Sequence, residues 1–273
     1  MNKDFAWFLG FLLSDGSIVK PTYQGKGNEQ HLAFCMHYKD EEALYKIKNI
    51  LNTKANVHTY PNYKSPQAKL EIYDRKDIEK EFYDIKKHIP VEKIKGYERH
   101  FIRGLIDGDG CLYHRKNRGN GLMINFINEK KEIIDWVNQT ISEKLNIKYK
   151  ECTYKEKDHI YSISWEGKIG RLIAWWLYHG DIDNCRLERK YHYYKTYVLD
   201  NNTFDNYNEE LIYAINVLLD NNKINMNVPS YLTLDWCKRV QKHLTFNTTP
   251  IFKNKGKTKY YYLYIPDTSI INM

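Results

Sequence analysis

The sequence predicts an α+β protein built from two pseudo-symmetric αββαββα repeats and a C-terminal extension. Two similar segments, Trp7–Ser17 and Phe101–Cys111, lie 94 residues apart, and each is an apolar stretch that leads into Asp-Gly. A constant offset between similar segments indicates duplication of one structural unit. The runs after both segments follow the same order of strand-like and helix-like patterns. Alternation within the strands predicts antiparallel sheets that each pack one face on helices.

The first copy opens with an apolar helix that ends at Asp15-Gly16, since glycine after the last turn is a common helix stop. The runs after it predict strand Ser17–Lys20, a basic loop Pro21–Glu29, strand Gln30–Tyr38, helix Asp40–Leu51, strands Asn56–Pro61 and Gln67–Tyr73, and helix Arg75–Ile85. In the last of these strands, apolar residues alternate with Gln67, Lys69, Glu71 and Tyr73. This polar face is open to solvent or to a DNA groove.

The second copy repeats this order after Asp109-Gly110. Its runs predict strand Cys111–His114, a loop Arg115–Gly121, strand Leu122–Asn128, helix Lys130–Leu145, strands Ile147–Tyr154 and His159–Trp165, and helix Ile169–His179. Asn125 lies on the open face of its strand. We therefore expect a first repeat over residues 1–96 and a second over residues 97–200.

Residues 201–273 have no counterpart in the repeats. The patterns predict helices Asn208–Asp220 and Leu234–Leu244 and a strand Lys259–Ile265, and residues 236–266 contain seven Lys or Arg and no Asp or Glu. Helices followed by a basic hairpin could form a winged-helix-like DNA-binding appendage. A cap that packs on the second repeat fits this composition equally well.

Composition narrows the class of partner and the compartment. The 42 Lys and Arg residues outnumber the 34 Asp and Glu residues, giving a net charge of +8, which suits an acidic partner such as nucleic acid. Five cysteines without CxxC spacing indicate neither a disulfide framework nor a structural zinc site. The apolar stretch Phe5–Leu13 is too short to span a membrane. We expect an intracellular protein, in cytoplasm or organelle matrix, that is neither secreted nor bound to a membrane.

Small residues in both apolar helices predict that these helices pack against each other. Small residues recur at four-residue spacing, which allows close backbone approach: Ala6, Gly10 and Ser14 in the first helix, and Gly104 and Gly108 in the second. Such a crossing would bring Asp15 and Asp109 together. Two adjacent carboxylates repel each other unless a cation lies between them, and hard oxygen ligands favour Mg²⁺. A single Asp-Gly is more often only a helix stop, but the pair in register favours a metal site.

The two motifs resemble the paired LAGLIDADG motifs of homing endonucleases. Ile102–Gly110 is a close match, and the preceding Arg99–Arg103 is also typical of the family. Phe8–Gly16 departs by placing Leu13 where the family often has an earlier acidic residue, which leaves Asp107 with a supporting role. The resemblance covers about residues 4–200 and is to the single-chain, two-repeat type.

This resemblance implies a saddle of antiparallel strands over the DNA major groove and a site-specific, intron-encoded endonuclease. Such an enzyme acts as a monomer on a long asymmetric double-stranded target, uses a divalent metal such as Mg²⁺, and makes a staggered cut with 3′ overhangs. The implied metal positions are Asp15, Gly16, Asp109 and Gly110. A basic residue after each repeat would polarise active-site solvent; Lys190 and Lys95 are the candidates, with Lys87 as the alternative to Lys95. The expected DNA contacts are His37, Gln67, Lys69, Glu71, Tyr73, Arg115, Lys116, Arg118, Asn125, Lys255 and Lys257.

Two other classes of function compete with the endonuclease. The same fold can serve as an RNA-splicing maturase, with intron RNA as partner, or as a DNA-binding regulator that does not cleave. Both tolerate loss of the acidic residues, so the presence of Asp15 and Asp109 favours the enzyme. A glycosidase that uses Asp107 and Asp109 as its acid pair is disfavoured, because positions two apart point to different sides of a helix.

Overall fold

A computed structural model describes residues 1–20, 29–115, 121–145, 147–180, 182, 184–199, 225–229, 251–255 and 258–264. In the first repeat, the elements are α1 (Lys3–Asp15), β1 (Gly16–Val19), β2 (His31–His37), a 3₁₀ turn (Tyr38–Asp40), α2 (Glu42–Leu51), β3 (Val57–Tyr60), β4 (Gln67–Ile72) and α3 (Lys76–Lys87). The strands form an antiparallel sheet of order β1-β2-β4-β3, here called the first sheet.

The second repeat has the same order of elements. They are α4 (Glu98–Asp109), β5 (Gly110–Arg115), β6 (Gly121–Asn128), α5 (Lys131–Leu145), β7 (Thr153–Lys155), β8 (Ile160–Glu166) and α6 (Gly167–Tyr178). The second sheet has the equivalent antiparallel order, β5-β6-β8-β7. The predicted fold class, α+β with two αββαββα repeats and two antiparallel sheets, is confirmed.

Strand register relates the two sheets residue by residue. Gly16 pairs with Phe34, which pairs with Leu70. In the second sheet, Gly110 pairs with Phe126, which pairs with Ile163. The four apolar side chains of these rows are buried and face the helices. Residues on either side of each row therefore project from the opposite face of the sheet, the open face.

The two repeats are joined through α1 and α4. The capping side chain of Asn2 accepts a hydrogen bond from the backbone N–H of Phe5 at 2.8 Å, which starts α1, and the helix is buried from Ala6 to Leu13. A Cβ atom added at Gly10 would overlap the carbonyl oxygen of Phe101, and one added at Gly104 would overlap that of Trp7. The two contacts are related by the 94-residue offset, so the helix crossing is itself pseudo-twofold. Glycine is required there because the neighbour is backbone, which cannot turn aside.

Two elements of the second repeat differ from the sequence prediction. The predicted strand Ile147–Tyr154 pairs with the sheet only at Thr153–Lys155, because the preceding backbone is tied to α5: the side chain of Asn138 donates to the carbonyl oxygen of Lys150 at 2.5 Å. After α6 the chain forms an additional helix, α7 (Glu188–Tyr194), which continues into a π-helical turn. The sequence pattern does not predict α7, because its seven residues are too few to establish a helical period.

The described part of the extension is a three-stranded antiparallel sheet. Its strands are β9 (Asn225–Pro229), β10 (Ile251–Lys255) and β11 (Thr258–Tyr264), in the order β10-β11-β9. β11 overlaps the predicted strand Lys259–Ile265. The predicted helices Asn208–Asp220 and Leu234–Leu244 lie outside the described residues. Within the described part of the chain, no helix combines the length and apolar character needed to cross a bilayer.

Candidate active site

Asp15 and Asp109 end the two central helices at equivalent positions. In each case the backbone N–H of the following glycine closes the last turn, on Leu12 in α1 and on Ile106 in α4. A Cβ atom added at Gly108 would lie 3.2 Å from Oδ2 of Asp15, which places the end of α1 directly against the last turn of α4. The predicted convergence of the two helix ends is therefore present in the structure.

The environment of Asp15 makes its negative charge costly. Burial, and then the nearby charge of Asp109, raise the pKa of Asp15 from 3.8 to about 6, whereas the positive charge of Lys190 opposes the rise. Burial also raises the pKa of Asp109, against the positive charges of Lys86 and Lys190. Two carboxyl groups that each disfavour the charged form gain the most from a cation held between them.

Asp109 lies at the edge of a cavity of about 260 Å³. Other residues around this cavity are Leu13, Ser14, Lys86, Ile127, Asn128, Glu129, Lys130, Ile133 and Ile160. The side chain of Asn128, the last residue of β6, donates to Oδ2 of Asp109 at 3.4 Å. The cavity thus combines two carboxylates, Asp109 and Glu129, with two lysines, a composition suited to a phosphate group beside a cation.

Asp107, two residues before Asp109, is a structural anchor. Its carboxyl group is 2% exposed and accepts three hydrogen bonds, from Trp7 Nε1 at 2.8 Å, Tyr178 OH at 2.6 Å and the backbone N–H of Leu187 at 3.0 Å. These donors lie on α1, on α6 and immediately before α7. Asp107 therefore fixes the start of α7, the helix that carries Lys190. The equivalent position in the first repeat is Leu13, so this network exists on one side only.

Lys190, predicted to polarise active-site solvent, lies with its ammonium group against the carbonyl end of α4. Its side chain is 1% exposed, and Nζ donates to the carbonyl oxygens of Ile106, Asp107 and Gly110 at 2.6 Å each, with Gly108 at 3.4 Å. Burial lowers the pKa of Lys190 to about 8, against the attraction of Asp107. The ammonium caps the carbonyl end of α4, where a positive charge is favourable. Lys190 thus acts on Asp15 and Asp109 through its charge.

In the first repeat, Lys86 and not Lys95 lies beside the carboxylates. Lys95 is exposed in the turn between α3 and α4. Lys86 Nζ donates to the carbonyl oxygen of Leu13 at 3.0 Å and borders the cavity at Asp109. Leu13 and Asp107 are 94 residues apart, so Lys86 caps α1 much as Lys190 caps α4. Lys86 reaches this position because the end of α3 folds back onto α1, and Lys87, the alternative to Lys95, is adjacent to it.

The donor set fits a hard divalent cation only in part. Carboxylate oxygens of Asp15 and Asp109 are suitable ligands. The carbonyl oxygen of Gly110, also predicted as a ligand, accepts a hydrogen bond from Lys190 at 2.6 Å, and an ammonium at that distance repels a cation. Within the described residues, no cluster of three or more His, Cys, Asp or Glu side chains could hold a metal ion. A cation here would complete its shell with water or phosphate oxygens.

The predicted DNA contacts fall into three groups. Residues on the open face of the first sheet, or at its ends, are His37, Gln67, Lys69, Glu71 and Tyr73. Of these, Tyr73 stacks on His31 with ring centroids 4.3 Å apart, and His37 accepts a hydrogen bond from the backbone of Lys39 at 3.2 Å. Asn125 lies on the open face of the second sheet, Arg115 ends β5 and Lys255 ends β10. Lys116, Arg118 and Lys257 lie outside the described residues.

Comparison with protein families matches the second repeat. Residues 96–175 match a family described as LAGLIDADG-like domain, which confirms the resemblance drawn from the motif at Ile102–Gly110. A protein of Methanocaldococcus jannaschii described as uncharacterized is 28% identical over 144 residues, which are 49% of this chain and 16% of that protein. The chain therefore spans only a small part of the length of this relative.

Comparison with solved structures finds several homing endonucleases at low identity. Mesophilic variants of I-DmoI align with a TM-score of 0.43 and 17% identity over 59% of this chain and 83% of that chain. I-GzeII in complex with a DNA target aligns with a TM-score of 0.43 and 12% identity over 89% and 98% of the two chains. I-LtrWI bound to target DNA aligns with a TM-score of 0.43 and 14% identity over 91% and 99%.

Proposed function

We propose that this chain, whose residues 96–175 match the LAGLIDADG-like domain, is a site-specific endonuclease that hydrolyses one phosphodiester bond in each strand of duplex DNA and leaves 3′ overhangs. The observation that carries the proposal is the meeting of Asp15 and Asp109 at the ends of two packed helices. One carboxylate from each repeat provides one acidic group for each DNA strand.

The side chains around the pair have separate tasks. Asp15 and Asp109 would hold divalent cations such as Mg²⁺, which supply Lewis acidity for phosphodiester hydrolysis when bound. Asn128 orients the Asp109 carboxylate through the hydrogen bond at 3.4 Å. Lys190 keeps both carboxyl groups more acidic than burial alone would allow. Lys86, beside the cavity, is placed to attract a phosphate oxygen.

The two halves of the site are not identical. Lys190 is enclosed by backbone carbonyls, whereas Lys86 borders a cavity. Because one chain supplies both halves, we propose that it acts as a monomer on a long asymmetric target. Residues 1–96 and 97–200 would each contact one half of that target. Residues 201–273, with their basic run, would add affinity for the DNA backbone.

A single selection experiment tests this proposal. The full chain is incubated with a randomised DNA duplex library and Mg²⁺, and cleaved molecules are recovered and sequenced. We expect one recurrent long site with recessed 5′ ends. Asp15→Asn and Asp109→Asn should each abolish double-strand cutting and retain DNA binding, because each removes a cation ligand but few DNA contacts.

The matched control for these variants is Asp158→Asn, at an exposed carboxylate in the turn between β7 and β8. It should cut like the original chain. Sequence-specific binding without any cutting would favour the DNA-binding regulator, and absence of DNA binding would reject the proposal. Full cutting by Asp15→Asn would reject the assignment of the site.

A further inference from the structure

The two open sheet faces differ in charge at equivalent positions. In the first sheet, Cys35, one residue past Phe34, pairs with Lys69, which pairs with His58. The equivalent row of the second sheet is Ile127, Ser162 and Thr153. Both rows begin beside a helix-end carboxylate, because Phe34 and Phe126 pair with the glycines that follow Asp15 and Asp109. A lysine in one half therefore corresponds to a serine in the other.

In the neighbouring row, too, a charged residue of the first sheet corresponds to a serine of the second sheet. In the first sheet, Ser17 pairs with Ala33, which pairs with Glu71. The equivalent row in the second sheet is Cys111, Asn125 and Ser164. The hydroxyl group of Ser162 donates to the side-chain oxygen of Asn125 at 3.3 Å and so orients that amide. Across both rows, the charged pair Lys69 and Glu71 is replaced by two serines.

Apolar side chains project from the second sheet close to Asp109. Ile127 and Ile160 both border the cavity that contains this carboxylate, and each is partly exposed. Lys86 and Lys130 border the same cavity. Cationic groups for a phosphate and apolar groups for a base edge therefore line one cavity, together with the carboxylates of Asp109 and Glu129.

The chemistry of the major groove relates these faces to base pairs. Only thymine presents a methyl group there, and apolar side chains recognise it by contact. An asparagine amide pairs with the N6 and N7 edge of adenine, whereas lysine donates to guanine and a carboxylate accepts from the N4 amino group of cytosine. The face with Ile127, Ile160 and Asn125 suits A·T pairs, and the face with Lys69 and Glu71 suits G·C pairs.

We infer that the second repeat recognises an A·T-rich half-site, with thymine methyl groups against Ile127 and Ile160. The first repeat recognises G·C pairs through Lys69 and Glu71. The inference rests on the proposed function, because it takes duplex DNA as the occupant of both faces. The target then has a defined orientation on the protein, because its two half-sites differ in base composition and each is bound by a particular repeat.

The test replaces thymine by deoxyuridine, which lacks only the C5 methyl group. The full chain is first used to select bound duplexes from a randomised library in the presence of Ca²⁺. Two versions of a selected duplex then carry deoxyuridine in one half-site or in the other, and their dissociation constants are compared. We expect affinity to fall about fourfold for each methyl group lost from the A·T-rich half, because burial of one methyl-sized group has this effect.

Two variants assign each half-site to its repeat. Ile127→Ser should remove much of the sensitivity to deoxyuridine in the A·T-rich half and leave binding to the other half unchanged. Lys69→Ser should relax the preference for guanine in the other half.

Two half-sites of equal composition, or equal effects of deoxyuridine in both, would overturn the inference, whereas specific binding would still uphold the proposed function. Absence of selected duplexes would instead reject the proposed function. If Ile127→Ser fails to fold, the deoxyuridine comparison on the original chain still decides.

Discussion

Lys190 donates a hydrogen bond to the backbone carbonyl oxygen of Asp107 at 2.6 Å, inside the last turn of the helix that ends at Asp109. The Asp107 side chain in turn accepts from the backbone N–H of Leu187, three residues before Lys190. Asp107 thus holds the segment of residues 187–190 at two points. Its side chain binds the backbone of Leu187, where the segment begins, and its backbone carbonyl oxygen binds the ammonium group of Lys190. This reciprocal link fixes a buried positive charge next to two carboxyl groups whose own burial raises their pKa.

Replacing Lys190 by Met should destabilise the fold. The substitution leaves the carbonyl oxygens of Ile106, Asp107 and Gly110 without their charged donor. Loss of one member of a buried, hydrogen-bonded charge network costs about 3–5 kcal/mol. Urea denaturation of the two chains measures the difference. Lys95→Met, at an exposed lysine, is the control and should stay within about 0.5 kcal/mol. Equal stability of the two variants would show that the ammonium is not a structural cap.

Substitutions of Lys86 and of Lys95 should have different effects on the rate of DNA cleavage. Lys86 borders the cavity at Asp109, whereas Lys95 is exposed in a turn. We expect Lys86→Met to slow cutting about 100- to 1000-fold, the range for loss of one preorganised electrostatic group, and Lys95→Met to cut normally. Single-turnover cleavage of the selected site, with each strand labelled separately, gives the rates. Slow cutting by Lys95→Met alone would instead support Lys95, the lysine predicted from the sequence.

The sequence alone predicted the helix pair and both sheets, because these depend on local patterns. Gly10 and Gly104 mark the crossing, and the alternation in Gln67–Ile72 marks a strand with one open face. The position of Lys86 was missed, because it depends on how α3 returns to the end of α1. The capping of α4 by Lys190 was also missed. A pattern of residues shows that a lysine is nearby, but not whether its ammonium faces solvent or carbonyl groups.

A divalent cation should stabilise the chain through the paired carboxylates. Binding to the folded form alone raises the midpoint of thermal unfolding, and the rise grows with the ligand concentration. We expect Mn²⁺ or Mg²⁺ to raise the melting temperature of the original chain, measured in the absence of DNA. Asp109→Asn should show a much smaller rise, and Asp158→Asn the full rise. An unchanged response in Asp109→Asn would place the cation elsewhere.

Asp15 should make stability depend on pH in the absence of divalent cations. Its folded pKa of about 6 lies above the unfolded value near 3.8, so the folded chain binds the proton more tightly. Protonation of Asp15 therefore raises the free energy of unfolding at low pH. This contribution, about 1–3 kcal/mol, is lost as the pH rises from about 4 to about 6. Asp15→Asn should therefore be more stable than the original chain at pH 8 in EDTA and similar at pH 3.5. Urea titrations at both pH values decide, and a constant difference would refute the raised pKa.

The helix crossing itself can be tested at Gly104. A Cβ atom there would overlap the carbonyl oxygen of Trp7, which is backbone within a buried helix, so Gly104→Ala must push α1 and α4 apart. Overpacking of this kind costs about 1–3 kcal/mol and can cost more where neither side yields. Because Gly10 meets Phe101 in the same way, Gly10→Ala should lose a similar amount.

The matched control for this crossing is Gly96→Ala. Gly96 has a φ of +82° and no atom within 4 Å of an added Cβ, so alanine there incurs only backbone strain, about 1–2 kcal/mol. Because the added Cβ atom would overlap a backbone carbonyl oxygen in both crossing variants, we expect their losses at or above the upper end of the overpacking range, so both should be less stable than Gly96→Ala in urea denaturation. They should also cut DNA more slowly at saturating protein, since a wider crossing separates Asp15 from Asp109, whereas Gly96→Ala should cut normally once folded. If Gly104→Ala lost no more stability than Gly96→Ala, the backbone contact would not hold the two repeats together.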